Sequence, residues 1–439
     1  MTLVSQTVRH PESPAGQEER KPRPARARTG VTRKLLWAIV DQAAVSATGF
    51  FSFVLVGRFA GPEELGLYAL GLSLIVLVVG AQDSLISSAY AIYANRMAEA
   101  DRRRYAGGTL LQTLLLVLPA ACGLLAAAAC GWLGLGPAWL PNWSAALALL
   151  VPLALWRQFG RKMAFAHHQP ERTATIDGLV LLIQLSALAW LGFAGRLNAV
   201  AAFAAVAAAY LAATLVWWRL SRREYDLHGA DWAGDLRRNW RLGKWVLAGR
   251  MVSLTQTYVI HWLLGLFSTR AVGVFAACLN IVSISNLLLF AAGNVLEPRM
   301  ARAYHEGGVA QVQRIARLVM LGMAAVMTLF AAAVLLAGDW AMSVLYAGED
   351  FVGHAHALTV LAAAMFIDAA ALGASQALRV LERPQVNFRA NLAGLACTLI
   401  VGCCAMPAAP VLGGAYAYLA GNLVGSGIRV VAYRRIVRE

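Results

Sequence analysis

Gly66-Leu67-Tyr68-Ala69 returns in the second half of the chain as Gly273-Val274-Phe275-Ala276. Working outward, Trp37 has a counterpart in Trp245, Arg96-Met97-Ala98-Glu99-Ala100 in Arg299-Met300-Ala301-Arg302-Ala303, and Pro170 in Pro384. The tetrapeptide offset is 207 residues and the others are 208, 203 and 214, so order is kept and spacing drifts only by small loop insertions. Matches in one order at a near-constant offset mark an internal duplication, and a duplication constrains architecture more than any local propensity does.

The chain around these repeats is not built for water. Of 439 residues, 59% are hydrophobic and 14% charged, with a mean hydropathy of +0.60, outside the range of ordinary soluble domains. The apolar runs approach the ~20 residues a helix needs to cross ~30 Å of hydrocarbon, whereas barrel strands would be alternating segments of ~10. They predict helices at roughly 35–56, 65–92, 108–130, 143–160, 175–194 and 198–218, then 245–267, 271–296, 315–337, 356–378, 389–406 and 411–431. The expected class is therefore an all-α membrane protein of about 12 transmembrane helices in two pseudo-symmetric six-helix lobes. Because each half has an even number of spans, the repeats enter the membrane in the same direction and are related by an axis along its normal.

Charge placement tests that count. The net charge is +15, which on its own would suit a nucleic-acid partner. With the N-terminus inside, 34 of the 38 Lys and Arg residues fall at inner loops or tails, Arg58, Arg196 and Arg270 fall outside, and Arg250 falls within a helix. That is the positive-inside pattern of a multi-pass inner-membrane protein with both termini cytoplasmic, so the basic excess reports topology and no nucleic-acid partner is expected. Residues 1–34 read as a disordered basic cytoplasmic tail, 35–218 as the first lobe and 245–439 as the second. Between them, 219–244 reads as a cytoplasmic amphipathic linker, with Trp232, Leu236 and Trp240 four residues apart and Arg237, Arg238 and Arg241 toward headgroups; a solvated connector is the plainer reading.

Several chemistries lack their residues. There is no GxxxxGK[ST] phosphate loop. The six cysteines sit in apolar runs without CxxC spacing and read as small buried hydrophobes. Neither a metal nor a cofactor is expected. The outer loops are short, and the longest, about 338–355, offers Asp339, Glu349, Asp350 and His354 without a partner base, so no catalytic residue is assigned and an enzyme is not expected.

The informative residues are ionisable groups at membrane depth, each costing at least ~2.5 kcal/mol on insertion scales. Asp83 lies thirteen residues from Arg96, or ~20 Å along a helix, and Asp368 lies ~16 Å from Arg379. Each reads as lining a water-filled pathway or as a neutral, hydrogen-bonded buried carboxyl. Asp41 and Arg250 occupy nearly equivalent depths in the opening helices of the two halves, with Gln42 the repeat counterpart of Arg250. They are expected to meet or to flank one entrance, the plainer alternative being that Arg250 snorkels. Gln256, with Gln82, His261, Asn280, Asn286, Asn294 and Gln376, could offer hydrogen bonds to a polar cargo, or only bonds between helices.

The stretch Asp41-Gln42-Ala43-Ala44-Val45-Ser46 through Gly57-Arg58-Phe59-Ala60-Gly61-Pro62-Glu63-Glu64-Leu65-Gly66-Leu67-Tyr68-Ala69-Leu70 resembles the opening of the polysaccharide biosynthesis proteins, the oligosaccharide flippases. That family shares a superfamily with the multidrug and toxin extrusion transporters and the peptidoglycan-precursor flippases. Twelve spans also suit the major facilitators, but the second inner loop, Asn95-Arg96-Met97-Ala98-Glu99-Ala100-Asp101-Arg102-Arg103-Arg104, lacks their GxxxD[RK]xGR[RK] signature. The resemblance implies two lobes around a V-shaped central cavity of alternating access, and a cargo of polyprenyl-pyrophosphate-linked oligosaccharide. Its implied surroundings are membrane lipids, a polysaccharide polymerase and glycosyltransferases. The alternatives are a drug or cation antiporter of the same superfamily and a membrane-embedded enzyme of polysaccharide assembly.

Overall fold

A computed structural model describes residues 25–438 apart from His168, His228 and Ala230; within it the side chains of residues 25–35, Leu242, Phe290, Ala291 and Asn294 are also outside the described set. The expected tail thus falls mostly outside the described residues, and Ala25, the first of them, is already helical.

Twelve helices make up the described chain. The helical stretch Ala25–Gln82 breaks at Gly61 (φ 85°, ψ 178°), a conformation that only glycine adopts without strain, and Pro62 then starts the next helix with its φ already set. This gives α1 (25–60) and α2 (62–93), the latter passing through a π-turn at Asp83–Ser87. There follow α3 (Glu99–Trp132), α4 (Leu140–Ala166), α5 (Pro170–Phe193) and α6 (Ala199–Ser221). The second half comprises α7 (Trp232–Gly265), α8 (269–306), α9 (309–346), α10 (355–380), α11 (Pro384–Ala405) and α12 (Pro410–Ile436). Gly308 (φ 62°) separates α8 from α9 as Gly61 separates α1 from α2, and a 3₁₀ turn at Ser283–Ser285 interrupts α8 near the repeat position of the π-turn in α2. Among the described residues eight stretches are long and apolar enough to cross a membrane; one, Leu36–Arg96, holds both α1 and α2, and another, Val295–Tyr346, holds the end of α8 together with α9.

The apolar core explains how two lobes form one molecule. At the end where α1 turns into α2, a single core joins both halves, with Tyr68 and Phe203 from the first and Ile260, Phe275 and Tyr346 from the second. At the opposite, arginine-rich end the core divides. One branch, including Tyr90, Tyr105, Phe159 and Trp217, belongs only to α2–α6 and the turn after α6; the other, including Met300, Val312, Ala377 and Tyr433, belongs only to α8–α12. Toward the arginine-rich end each lobe thus packs its own apolar core, with α7 reaching across to lie against α2 and α3.

The repeat glycines sit where the lobes meet. A methyl on Gly66 would lie 2.0 Å from the carbonyl oxygen of Thr269, and one on Gly273 would lie 1.8 Å from that of Pro62. Residues 62 and 269 are themselves 207 apart, so the contact is reciprocal and the pseudo-two-fold axis passes through this crossing. Small residues let α2 and α8 approach backbone to backbone, as membrane helices do where the hydrophobic effect cannot drive them together.

The stretch read as a linker runs straight into α7, which begins at Trp232 under an Asp231 cap that accepts from Gly234 N–H at 3.0 Å. Trp232, Leu236 and Trp240 face outward. The opposite face docks on α3: Tyr105 donates to Asn239 (2.7 Å), Asn239 to Gln112 (2.9 Å), and Gln112 to the Trp232 carbonyl (3.3 Å).

Candidate functional site

The densest set of buried charge starts in α4, at Arg157-Gln158-Phe159-Gly160-Arg161-Lys162. Four-residue spacing puts Arg157 and Arg161 on one helical stripe and Gln158 and Lys162 on the next. Asp177 of α5, whose side chain is fully buried, receives both arginines. Arg161 also donates to Asp41 of α1 at 2.9 Å, and the Arg157 guanidinium lies 4.6 Å from the centre of the Tyr210 ring. On the adjacent stripe, Lys162 stands 3.2 Å from Asp83, and Gln158 donates to both oxygens of the same carboxylate at 3.3 and 3.2 Å. The π-turn begins at Asp83, and the Ser88 hydroxyl closes it by donating to the Asp83 carbonyl (2.8 Å); such turns aim a side chain out of its ordinary helical register.

The second lobe holds a smaller counterpart. Asp368 of α10 accepts from Arg429 of α12 at 3.1 Å, and Arg429 also donates to Asn391 of α11. Asn391 lies seven residues after Pro384 as Asp177 lies seven after Pro170, so both halves anchor an arginine at one repeat position, α4 supplying it in the first and α12 in the second. The Gln256 amide of α7 lies against Gly394 and Gly425, about one turn from Asn391 and Arg429.

The structure therefore joins Asp41 and Asp83 through α4 and pairs Asp368 with Arg429. It does not bring Asp41 to Arg250. Asp41 is buried against Arg161, whereas Arg250 is exposed, with its stem beside Gly80 of α2 and no ion pair to any described residue. Asp41 points into its own lobe because a carboxylate that is 1% exposed needs a partner within reach, and Arg161 of α4 supplies it. Gln42 is exposed and reaches Ser46 at 3.4 Å. Gln82 is a tie within its lobe, donating to the Leu155 carbonyl (2.8 Å). His261 is buried between Tyr258 and Phe275, and Gln376 is buried beside Gly293. The side chain of Asn294 is outside the described residues. Among the described residues, no group of three His, Cys, Asp or Glu could hold a metal.

Sequence reasoning missed Arg157, Arg161, Lys162, Asp177, Asn391 and Arg429. It placed all four cations at the inner side, because the fourth predicted span ended at 160 and the last was followed by a basic tail. The available signal was Asp177, an acidic residue inside an apolar run, together with arginines at four-residue spacing upstream of it.

The two seams between the lobes differ. Along α2 and α7, Leu70 lies by Gly265, Leu254 by Gly80, and the backbone of Ser84 and Leu85 by Gly243, so this seam is closed throughout. Along α1 and α8, Asn280 bridges to the Phe50 carbonyl (3.2 Å) and the Tyr346 hydroxyl (3.0 Å). Just toward the arginine-rich end the helices separate around a side cavity of about 480 Å³, walled by Ser46, Ala47, Gly49 and Phe53 on one side and Ser283, Ile284, Asn286 and Leu287 on the other.

A family model described as polysaccharide biosynthesis protein matches residues 31–304, well over half of the chain. The chain belongs to this family. Among solved structures, an inward-facing multidrug resistance MATE transporter of the MOP superfamily is 12% identical, with a TM-score of 0.74 over 91% of this chain and 98% of that one. The lipid II flippase MurJ in an inward closed conformation is 10% identical, with a TM-score of 0.72 over 91% and 87%. A MOP superfamily transporter from Pyrococcus furiosus, described as having a binding pocket of reverse polarity that suggests a different function, is 13% identical, with a TM-score of 0.66 over 93% and 95%. No curated protein matched the sequence. This member of the polysaccharide biosynthesis family is thus a multi-pass membrane protein with the two-lobed fold of the MOP superfamily transporters.

Proposed function

We propose that the protein is a flippase that moves a polyprenyl-pyrophosphate-linked oligosaccharide across the inner membrane by alternating access, with both termini cytoplasmic, for surface polysaccharide assembly. The observation that carries the reading is the charge balance of the two clusters. Asp41, Asp83, Asp177 and Asp368 are each matched by Arg157, Arg161, Lys162 or Arg429, so the clusters hold no spare carboxylate, and Arg250 stands apart from them, exposed and without an ion pair to a described residue. The surplus is positive, which suits a pyrophosphate. A cation antiporter would need spare negative charge, and here a cationic drug would have to displace a lysine or an arginine first. For the Pyrococcus furiosus transporter, too, pocket polarity is what suggests function.

The lateral cavity supports the same cargo. A sugar chain and a pyrophosphate cannot enter hydrocarbon without a large uncompensated polar cost, while a polyprenyl tail is at home there. A slot between α1 and α8, apolar but edged by Ser46, Ser283 and Asn286, would let the head travel between the lobes with the tail left in lipid. Asp41, Gln42, Asp83, Arg250, Gln256 and Asp368 are proposed to line that route, joined by Lys162 and Arg429.

Reconstitution in proteoliposomes with a fluorescent polyprenyl-pyrophosphate glycan tests the reading. The protein is expected to expose the glycan to an external quencher or glycosidase, and Arg250→Ala together with Lys162→Ala to slow this without loss of folded protein. Cationic-dye transport with no glycan movement would instead establish the antiporter.

A further inference from the structure

Each lobe carries a second basic recess, apart from the paired clusters and at corresponding places. In the first, Arg103 and Arg104 at the start of α3 face Trp218, Arg222 and Tyr225 at the end of α6 across about 490 Å³. In the second, Arg317 and Met320 at the start of α9 face Tyr433, Arg434 and Arg438 at the end of α12 across about 370 Å³. α9 and α12 are the repeat counterparts of α3 and α6, so both recesses lie on the arginine-rich face, where the helices would leave the membrane. Arg103, Arg222, Arg317, Arg434 and Arg438 make no ion pair with any described residue, while Arg104 stands 3.9 Å from Asp226.

The recess of the second lobe has the sharper features. Among the described residues no carboxylate lines it. Tyr433 is 6% exposed, and its hydroxyl is buried without a hydrogen-bond partner, a vacancy that native structures rarely leave unfilled. The floor of arginines adjoins an apolar wall, since Met320 and the exposed Leu321 also line it. A ligand for this place therefore has an anionic head with acceptor oxygens and an attached hydrocarbon. Guanidinium groups suit phosphate oxygens in particular, because their planar donors match them in pairs.

We propose that the α9–α12 recess binds the phosphate headgroup of an anionic membrane phospholipid, with Arg317, Arg434 and Arg438 on the phosphate and the Tyr433 hydroxyl donating to one of its oxygens, and that the α3–α6 recess is its weaker counterpart, weakened by Asp226. Basic recesses between transmembrane helices on the inner leaflet are where such headgroups are held. The site is distinct from the proposed transport route and does not depend on it.

Purified full-length protein in mixed micelles, titrated with phosphatidylglycerol and separately with phosphatidylcholine and followed by native mass spectrometry, tests this. Retention of phosphatidylglycerol over phosphatidylcholine is expected, and loss of one charged partner in Arg434→Gln is expected to weaken it about tenfold. Tyr433→Phe, which changes neither charge nor packing volume much, is expected to weaken it several-fold and guards against misfolding of the arginine variant. Equal retention of both lipids, unchanged phosphatidylglycerol binding in both variants, or full displacement by millimolar inorganic phosphate, which would make free phosphate the ligand, would each overturn the assignment.

Discussion

Gly66→Ala and Gly273→Ala should act on conformation rather than on cargo. The added methyls would lie 2.0 Å from the Thr269 carbonyl oxygen and 1.8 Å from that of Pro62, and both obstacles are backbone, which cannot rotate away. α2 and α8 must therefore separate by at least ~1 Å at this crossing. Overpacking of this kind costs ~1–3 kcal/mol. The crossing lies in the part of the core that both lobes share, so the cost falls on the state in which they meet at this end. A bias of 1–3 kcal/mol moves a two-state ratio ~5- to 150-fold, toward lobes parted here. Spin labels at positions 58 and 344, where Arg58 now donates to the Val344 carbonyl at 2.7 Å, should report a longer distance in the variants, and glycan transport should fall in step. Gly249→Ala, with open space around the new methyl, is the control and should match wild type. Wild-type distances and transport in the Gly66→Ala, Gly273→Ala double variant would refute the placement of the axis.

Arg161→Met strands Asp41, whose side chain is 1% exposed, and leaves Asp177 with Arg157 alone, and should lower stability by ~3–5 kcal/mol in detergent unfolding, with Asp41→Asn restoring part; no restoration would show that Asp41 does not depend on Arg161. Lys162→Ala breaks a half-exposed pair with Asp83 and should change stability by no more than ~1 kcal/mol while slowing transport; unchanged transport would remove Lys162 from the route. Burial against α3 raises the Asp235 carboxyl to about 6, so its docking contribution is complete below the ordinary 3.8 and lost as pH rises through 6. The melting temperature of wild type should therefore drop relative to Asp235→Asn between pH 4 and 7 and converge with it below 4, and parallel curves would contradict this. Asn239→Ala leaves the Tyr105 hydroxyl and the Gln112 side-chain oxygen unpaired, at ~1–3 kcal/mol each, and should lower stability in detergent unfolding accordingly; unchanged stability would mean that Asn239 does not hold α7 to α3.

Much of the fold was legible because it rests on features that sequence displays directly. Span length and the recurrence of Gly66-Leu67-Tyr68-Ala69 each follow from a local requirement: the thickness of hydrocarbon and the closeness of two backbones. The candidate site was less legible because its logic is pairwise. The expected meeting of Asp41 with Arg250 fails because position along a helix says nothing about azimuth, and azimuth decides for Arg161 of α4 over Arg250 of α7. Arg157 and Arg429, counted with the inner-side cations although they fall at the ends of predicted spans 143–160 and 411–431, are buried because Asp177, Asp368 and Asn391 approach them.

The two seams show where the symmetry of the halves ends. The pseudo-two-fold axis maps the α2–α7 seam onto the α8–α1 seam, so identical halves would close or open both together. They do not: α2–α7 is sealed as far as Gly243, while α1–α8 parts below Asn280. The sealed seam has an addition that the other lacks among the described residues, the extension of α7 back to Trp232 and its polar docking on α3 through Asn239 and Gln112. A connector between two repeats occurs once by necessity, and here it closes the seam it crosses. A lateral opening confined to one side is what a cargo with a single lipid tail requires, since a second slot would admit lipid to the cleft without serving the tail.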